Sequence, residues 1–315
     1  MDKNFKSFLK EVFGKYSTDL SGQVSQAFPA LSAVDPDSFA ISAVTVDGEV
    51  FEQGEVSRDF TIQSISKAFS FALALEQHGS LFVESKVGME PTGEDYDTII
   101  KLDDKNRPFN PMVNSGAIVM SGLINPREKA TREEELLDYF GKFAGRSLKI
   151  DEETYRSENE NGHKNWAIAH LLRHFNILTK EYREVLDLYF KQCSILVNTH
   201  DLALMGATLA NDGQNPITGI KCLSSENLRH VLSILFTCGM YNYSGEWAFD
   251  VGLPAKSGIS GGILLVVPGV LGMAIYSPRL DKRGNSIRGI KVSEELSDRF
   301  QLHVLDYTRK KARIN

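Results

Sequence analysis

The sequence predicts an α+β fold: an antiparallel sheet built from both ends of the chain, flanked by terminal helices, with a mainly helical second lobe between them. Three observations carry this prediction. β-rich runs flank a hairpin dipeptide at Asp47-Gly48, and two long apolar runs flank a turn dipeptide at Pro268-Gly269. Between them, from about residue 80 to 230, apolar residues recur at helical spacing. A repeating βαβ sheet would instead alternate strand and helix along its whole length. The expected organisation is a single domain over 1–315, with a sheet lobe at about 1–62 and 250–315 and a helical lobe at about 63–249.

The elements follow in order. In MDKNFKSFLKEVFGKY, residues Phe5, Phe8, Leu9, Val12, Phe13 and Tyr16 fall on one face of an amphipathic helix. After a connection to about Ser38, FAISAVTV and EVFEQ make the hairpin strands around Asp47-Gly48. A helix then starts near Gln63 or Ser64 and runs through AFSFALALEQHG, with Gly79 as its stop. TREEELLDYFGKFAG, NWAIAHLLRHF, TKEYREVLDLYFKQCSI and NTHDLALMGATLANDG read as further helices, and Thr131 or Thr199 as an N-cap. The polar stretch SENENGHKN at 157–165 reads as a loop. Residues 259–276 read as two buried strands joined by a tight turn, because Pro268-Gly269 divides the stretch and rules against a membrane span. SIRGIKV at 286–292 is a further candidate strand. The last helix, 293–315, places acids in its first turn and bases in its last, matching the helix dipole.

Composition narrows the function. The 315 residues are 42% apolar and 24% charged, with a net charge of −6, which is ordinary globular composition. No basic stripe stands out before the last few residues, so nucleic acid is not an expected partner, and neither is a membrane. Cys193, Cys222 and Cys238 have no metal-ligand or disulfide spacing. Free thiols and a charged N-terminus without an apolar core segment point to a reducing, cytoplasmic setting. His170 and His174 stand at i,i+4, but HLLRH lacks the glutamate of a zinc protease, so no metal or cofactor is expected.

The candidate chemistry lies in QSISK, residues 63–67. On a helix, Ser64 and Lys67 are i and i+3 and share a face, whereas Ser66 points about a third of a turn away from Lys67. A serine hydroxyl attacks only if a base takes its proton, and a lysine serves as base when burial lowers its pKa. The bland alternative is a serine cap beside a solvated lysine. Lys256-Ser257-Gly258 opens the apolar strand that follows, and S-x-x-K with a later K-[ST]-G resembles the β-lactamase and penicillin-binding-protein arrangement. In it, the N–H of Ser64 and a strand N–H would form an oxyanion hole.

Beyond these motifs, QSISK, FNPMVNSGAI (109–118), SENENGHKNWAIA (157–169), DLYFKQCSI (187–195), TCGMYNYSGEWAF (237–249) and VGLPAKSGISGGILLVVP (251–268) resemble the serine-dependent glutaminases in family order. That family has a β-lactamase-like fold and hydrolyses L-glutamine to L-glutamate and ammonia. The resemblance implies Ser64 as nucleophile, Lys67 as its partner and Tyr241 as a proton-transfer group. It implies substrate contacts from Ser64, Asn114, Glu158, Asn165, Tyr189, Tyr241 and the backbone of Ile259. Taken without it, Glu158 reads as a solvated carboxylate and Tyr189 as core packing. It also implies an acyl-enzyme cycle, a homodimer or homotetramer, and no cofactor. Ile259 stands where the family pattern has valine, and Ser115 and Ser260 stand where it often has alanine. The ankyrin repeats that some members carry are not expected here. The rival expectations are another S-x-x-K hydrolase, a glutamine-binding protein without turnover, and a structural oligomer.

Overall fold

The computed structural model describes residues 3–95, 97–99, 102–178 and 181–306. Its strands are, in chain order, β1 (Ala40–Thr45), β2 (Val50–Gly54), β3 (Phe60–Thr61), β4 (Lys149–Ile150), β5 (Ile195–Val197), β6 (Ala255–Ser257), β7 (Gly262–Val267) and β8 (Leu271–Tyr276). Five of them form one antiparallel sheet in the order β2-β1-β8-β7-β6, and β3, β5 and β4 form a small second sheet. The two ends of the chain meet where β1 pairs with β8, from Ala40 opposite Tyr276 to Thr45 opposite Leu271. Both predicted hairpins are present. Gly48 has φ +83° and Gly269 φ +73°, the sign that the second central residue of a type II turn also requires.

The large sheet is covered on both faces, which is why β7 reads as an unbroken apolar run. Ile263, Leu265 and Val267 pack with Phe5, Phe8, Leu9 and Val12 of the helix Lys3–Tyr16 and with Val292 and Leu296 of the helix Ile287–Phe300. Leu264 and Val266 face the other way, into the larger cluster that includes the helix Thr199–Ala210. That helix lies directly on β8: a Cβ on Gly272 would sit 2.0 Å from the Ala207 nitrogen. Each fully buried Leu or Ile at these positions contributes about 1.5–3 kcal/mol.

The helix Ser66–His78 is buried from Ser66 to Leu75, so it is a core helix with almost no polar face. It ends as predicted at Gly79, whose φ is +75° and whose N–H donates to the Leu75 carbonyl at 2.8 Å. Thr131 caps the helix Arg132–Ala144 with Glu134 completing a capping box.

Four expectations need correction. The cap before Thr199 is Asn198, which accepts the Asp201 N–H while Asp201 accepts its own. SIRGIKV is helical: Ser286 accepts the Gly289 N–H, and Arg288, Gly289, Val292, Ser293 and Leu296 are buried at helical spacing. That final helix runs Ile287–Phe300 and stops at Gln301, with φ +50°; the basic segment 307–315 lies outside the described residues. Finally, 157–165 is not a loop. Asp151 caps a helix Glu152–Asn161, and a second helix, His163–His174, starts after Gly162. Among the described residues, no helix is long and apolar enough to cross a membrane.

Candidate active site

The site begins where β3 runs into the core. The Ile62 N–H donates to the Ile195 carbonyl at 2.8 Å, and Gln63–Ile65 form one 3₁₀ turn before the helix Ser66–His78. Lys67 is the second residue of that helix, three positions after Ser64. Lys67 is fully buried. Its Nζ donates to Asn114 Oδ1 at 2.5 Å and to the Met112 carbonyl at 3.3 Å. Burial lowers its pKa to about 8, against the opposing pull of Cys193, Glu158 and Asp97.

Asn114 opens the helix Asn114–Leu123, and its Nδ2 donates to Asn165 Oδ1 at 2.8 Å. A polar chain therefore runs from Lys67 through Asn114 to Asn165, linking three helices. Glu158 arrives from the helix Glu152–Asn161 and is buried. Burial raises its pKa to about 8, with Gln63 and Lys67 pulling it down. Its Oε2 has no hydrogen-bond partner among the described residues, so the site holds one buried acceptor waiting for a donor. The solvated carboxylate expected from the residues alone is thus not what the fold builds. Tyr189, on the helix Tyr182–Cys193, is buried, and that burial pushes its phenol well above the usual value. It remains a neutral donor.

Ser64, Asn114, Glu158, Asn165, Tyr189 and Ile259 line one cavity of about 390 Å³. That volume suits a small polar ligand such as an amino acid. Ile259 reaches it from the turn between β6 and β7. Lys67 lies behind the cavity wall. Tyr241 does not line that cavity: it borders a different one, of about 430 Å³, with no lining residue in common, and donates its hydroxyl to the Ser257 carbonyl at 3.0 Å. Its backbone is left-handed, with φ +57°, a strain of about 1–2 kcal/mol for a residue with a Cβ. Ser66 lies off the cavity, fully buried, and accepts from Gln192 Nε2 at 3.1 Å.

Sequence reasoning missed several lining residues. Gln63 was legible only as the start of a helix, yet its side chain stands beside Glu158. Phe28, from the connection after the first helix, and the ion pair of Asp97 with Lys164 at 2.6 Å also line the cavity. Cys193 does so from the helix of Tyr189. Gln63, Lys164 and Cys193 stand next to or on the same helix as predicted site residues, but only the folded arrangement shows which of their side chains reach the cavity.

Comparison with known proteins gives one answer. A family described as Glutaminase matches residues 22–305. The chain is 48% identical to the glutaminase of Nostoc sp. over 298 residues, covering 95% of this chain and 89% of that one. It is 47% identical to the glutaminase of Microcystis aeruginosa, covering 97% and 90%.

The chain belongs to the glutaminase family.

Like other glutaminases it is an amidohydrolase that converts L-glutamine and water to L-glutamate and ammonia. The solved structure of a probable glutaminase, YbaS, superposes with a TM-score of 0.93 at 37% identity, covering 97% of this chain and 99% of that one. A structure of Mglu in its glutamate form superposes at 0.91, also 37% identical, over 97% of this glutaminase and 71% of Mglu.

Proposed function

We propose that this glutaminase, on a β-lactamase and penicillin-binding-protein-like plan, works by acyl transfer through Ser64. The observation that carries the reading is a buried Lys67, three residues on from the cavity-lining Ser64, whose pKa burial draws down to about 8. A buried amine that gives up its proton near neutrality is the base that a serine needs.

In the proposed cycle the substrate α-ammonium meets Glu158, supplying the donor that Oε2 lacks. Asn114, Asn165 and Tyr189 hold the polar groups of the amino acid. Ser64 Oγ attacks the δ-carbon and its proton passes to Lys67. The backbone N–H groups of Ser64 and Ile259 take the oxyanion. The C–N bond then breaks, and Tyr241, recharged by Lys67, delivers the proton with which ammonia leaves. Water attacks the γ-glutamyl ester, gives one proton back through the same groups, and Ser64 is released. Ile259 acts through its N–H, so isoleucine and valine serve alike there.

Acid quench during turnover, followed by intact-mass measurement, tests this reading. It expects a γ-glutamyl adduct on Ser64, absent from Ser64→Ala and present in Ser66→Ala. Ammonia release that survives Ser64→Ala overturns it. We further propose a reducing, cytoplasmic setting, supported by three free and buried cysteines, and a homodimer or homotetramer.

A further inference from the structure

We infer that Lys164 is a specificity-determining residue: its ammonium, held over the substrate cavity by Asp97, receives the α-carboxylate of glutamine and makes the enzyme demand the free amino acid. This rests on the reading above in which Glu158 takes the α-ammonium, and it names the group that takes the opposite charge.

Glutamine binds as a zwitterion, so a site that takes it out of water must answer two charges. Glu158 answers the ammonium, with a buried Oε2 that still lacks a donor. The neutral amides are mostly committed. Asn114 Oδ1 accepts from Lys67, and Asn114 Nδ2 donates to Asn165 Oδ1, so of these two side chains only Asn165 Nδ2 is left to donate. Tyr189 adds one hydroxyl. A carboxylate presents two oxygens and a full negative charge. Among the described residues lining the cavity, Lys164 is the one lysine or arginine.

The ion pair already holds that amine in place. Lys164 Nζ donates to Asp97 Oδ2 at 2.6 Å. An ammonium has three N–H groups, and no other acceptor among the described residues takes one, so two remain for a ligand. Asp97 and Ile259 also line a neighbouring cavity of about 800 Å³, which puts the pair at the junction of the two. A surface lysine spreads over many rotamers, and the Asp97 carboxylate fixes this one, so less entropy is lost when substrate arrives. The backbone acts in the same direction. Lys164 lies in the first turn of the helix His163–His174, which has no side-chain cap and no acid in that turn, and the five consecutive residues 161–165 at its start all line the cavity. The positive end of the helix dipole favours an anion there.

A glutamine whose α-carboxyl is blocked, by an amide or a peptide bond, leaves these donors facing a neutral group and is a poor substrate. The test compares L-glutamine with L-glutaminamide, which keeps the α-ammonium and the γ-amide and lacks the negative charge; chromatography identifies the γ-cleaved product. Lys164 is exposed, so its variants are expected to fold. Wild type is expected to prefer L-glutamine in kcat/KM by about 100-fold, and Lys164→Met to shrink that preference about 10–30-fold, through KM for L-glutamine with kcat retained. Lys164→Arg is expected to restore most of it. Asp97→Asn, which loosens Lys164 without removing it, is expected to shrink the preference only about threefold. A preference unchanged in Lys164→Met overturns the inference, as does a wild type that turns over both substrates alike. Glu158→Gln separates this inference from the reading beneath it: it is expected to weaken both substrates alike and leave the preference as in wild type. If Glu158→Gln instead erases the preference while Lys164→Met keeps it, the amino acid lies the other way round, and the inference falls together with the Glu158 reading.

Discussion

Two buried cations show how differently this chain treats its two sides. Arg288, on the terminal helix Ile287–Phe300, has every side of its guanidinium matched. Nε donates to the Asp19 carbonyl at 2.9 Å, Nη1 to Asp37 at 3.1 Å and Nη2 to Ser17 at 3.2 Å, and the group lies over the Phe39 ring. Lys67, three residues on from Ser64, is an amine, and its Nζ donates to Asn114 Oδ1 and the Met112 carbonyl. A guanidinium keeps its proton under all ordinary conditions, whereas a desolvated amine gives it up. The first cation stitches the loops around residues 17–37 onto the fold. The second sits where a proton must leave and return. Burial alone therefore does not identify a catalytic group; burial of a group able to change its protonation state does.

The sharpest way to break this contrast is to remove the reacting atoms. Ser64→Ala is expected to lower ammonia release by about 10³-fold or more while glutamate still binds. Loss of binding along with turnover would mean that the cavity had collapsed. Lys67→Met is expected to cost a similar factor in kcat with Tm unchanged or higher, since it replaces a desolvated amine by an apolar chain of like size. Arg288→Met is the mirror image. Three carbonyls lose their donors at about 1–3 kcal/mol each, so Tm should fall by roughly 5–15 °C, with kcat of the folded enzyme retained. A stability loss in Lys67→Met as large as that in Arg288→Met would erase the distinction.

Next in size is Glu158→Gln, which removes the buried anion. KM for L-glutamine is expected to rise about 100-fold, near 2.7 kcal/mol, with kcat changed less. An unchanged KM would detach Glu158 from the substrate ammonium.

Proton linkage sharpens the comparison further. Lys67 must be neutral to act as base and Glu158 charged to hold the ammonium, and both titrate near pH 8. The kcat/KM profile should therefore rise through about pH 8, and a flat profile between pH 6 and about 9 would contradict both assignments. Stability moves the other way at Glu158. Its folded pKa lies above the unfolded value of 4.5, so its stabilising contribution is present below that value and is lost as pH rises towards 8. The Tm of Glu158→Gln relative to wild type should accordingly increase from pH 5 to about 8. The smallest effect belongs to Ile259→Val: less than about twofold in kcat/KM, because the oxyanion contact is a backbone N–H.

The sheet and most helices were legible along the chain because their signals are local. Asp47-Gly48 and Pro268-Gly269 dictate turns, and the spacing of Phe5, Phe8, Leu9 and Val12 dictates an amphipathic face. SIRGIKV misled because seven residues fit either period, and only the Ser286 cap and the packing of Val292 and Leu296 against the sheet select the helix. Glu158 misled for the opposite reason: its neighbours are polar, yet distant segments bury it.

The sequence by itself determined which residue types could do the chemistry and where strands, turns and helices begin, since turn chemistry, capping and periodicity act over a few neighbouring residues. Only the tertiary structure decided that Lys67 is desolvated and that one oxygen of Glu158 is buried without a partner among the described residues. Those are properties of the electrostatic environment. That environment is assembled from separate segments, Lys67 and Asn114 standing 47 residues apart and Asn114 and Asn165 51, which no local pattern can report.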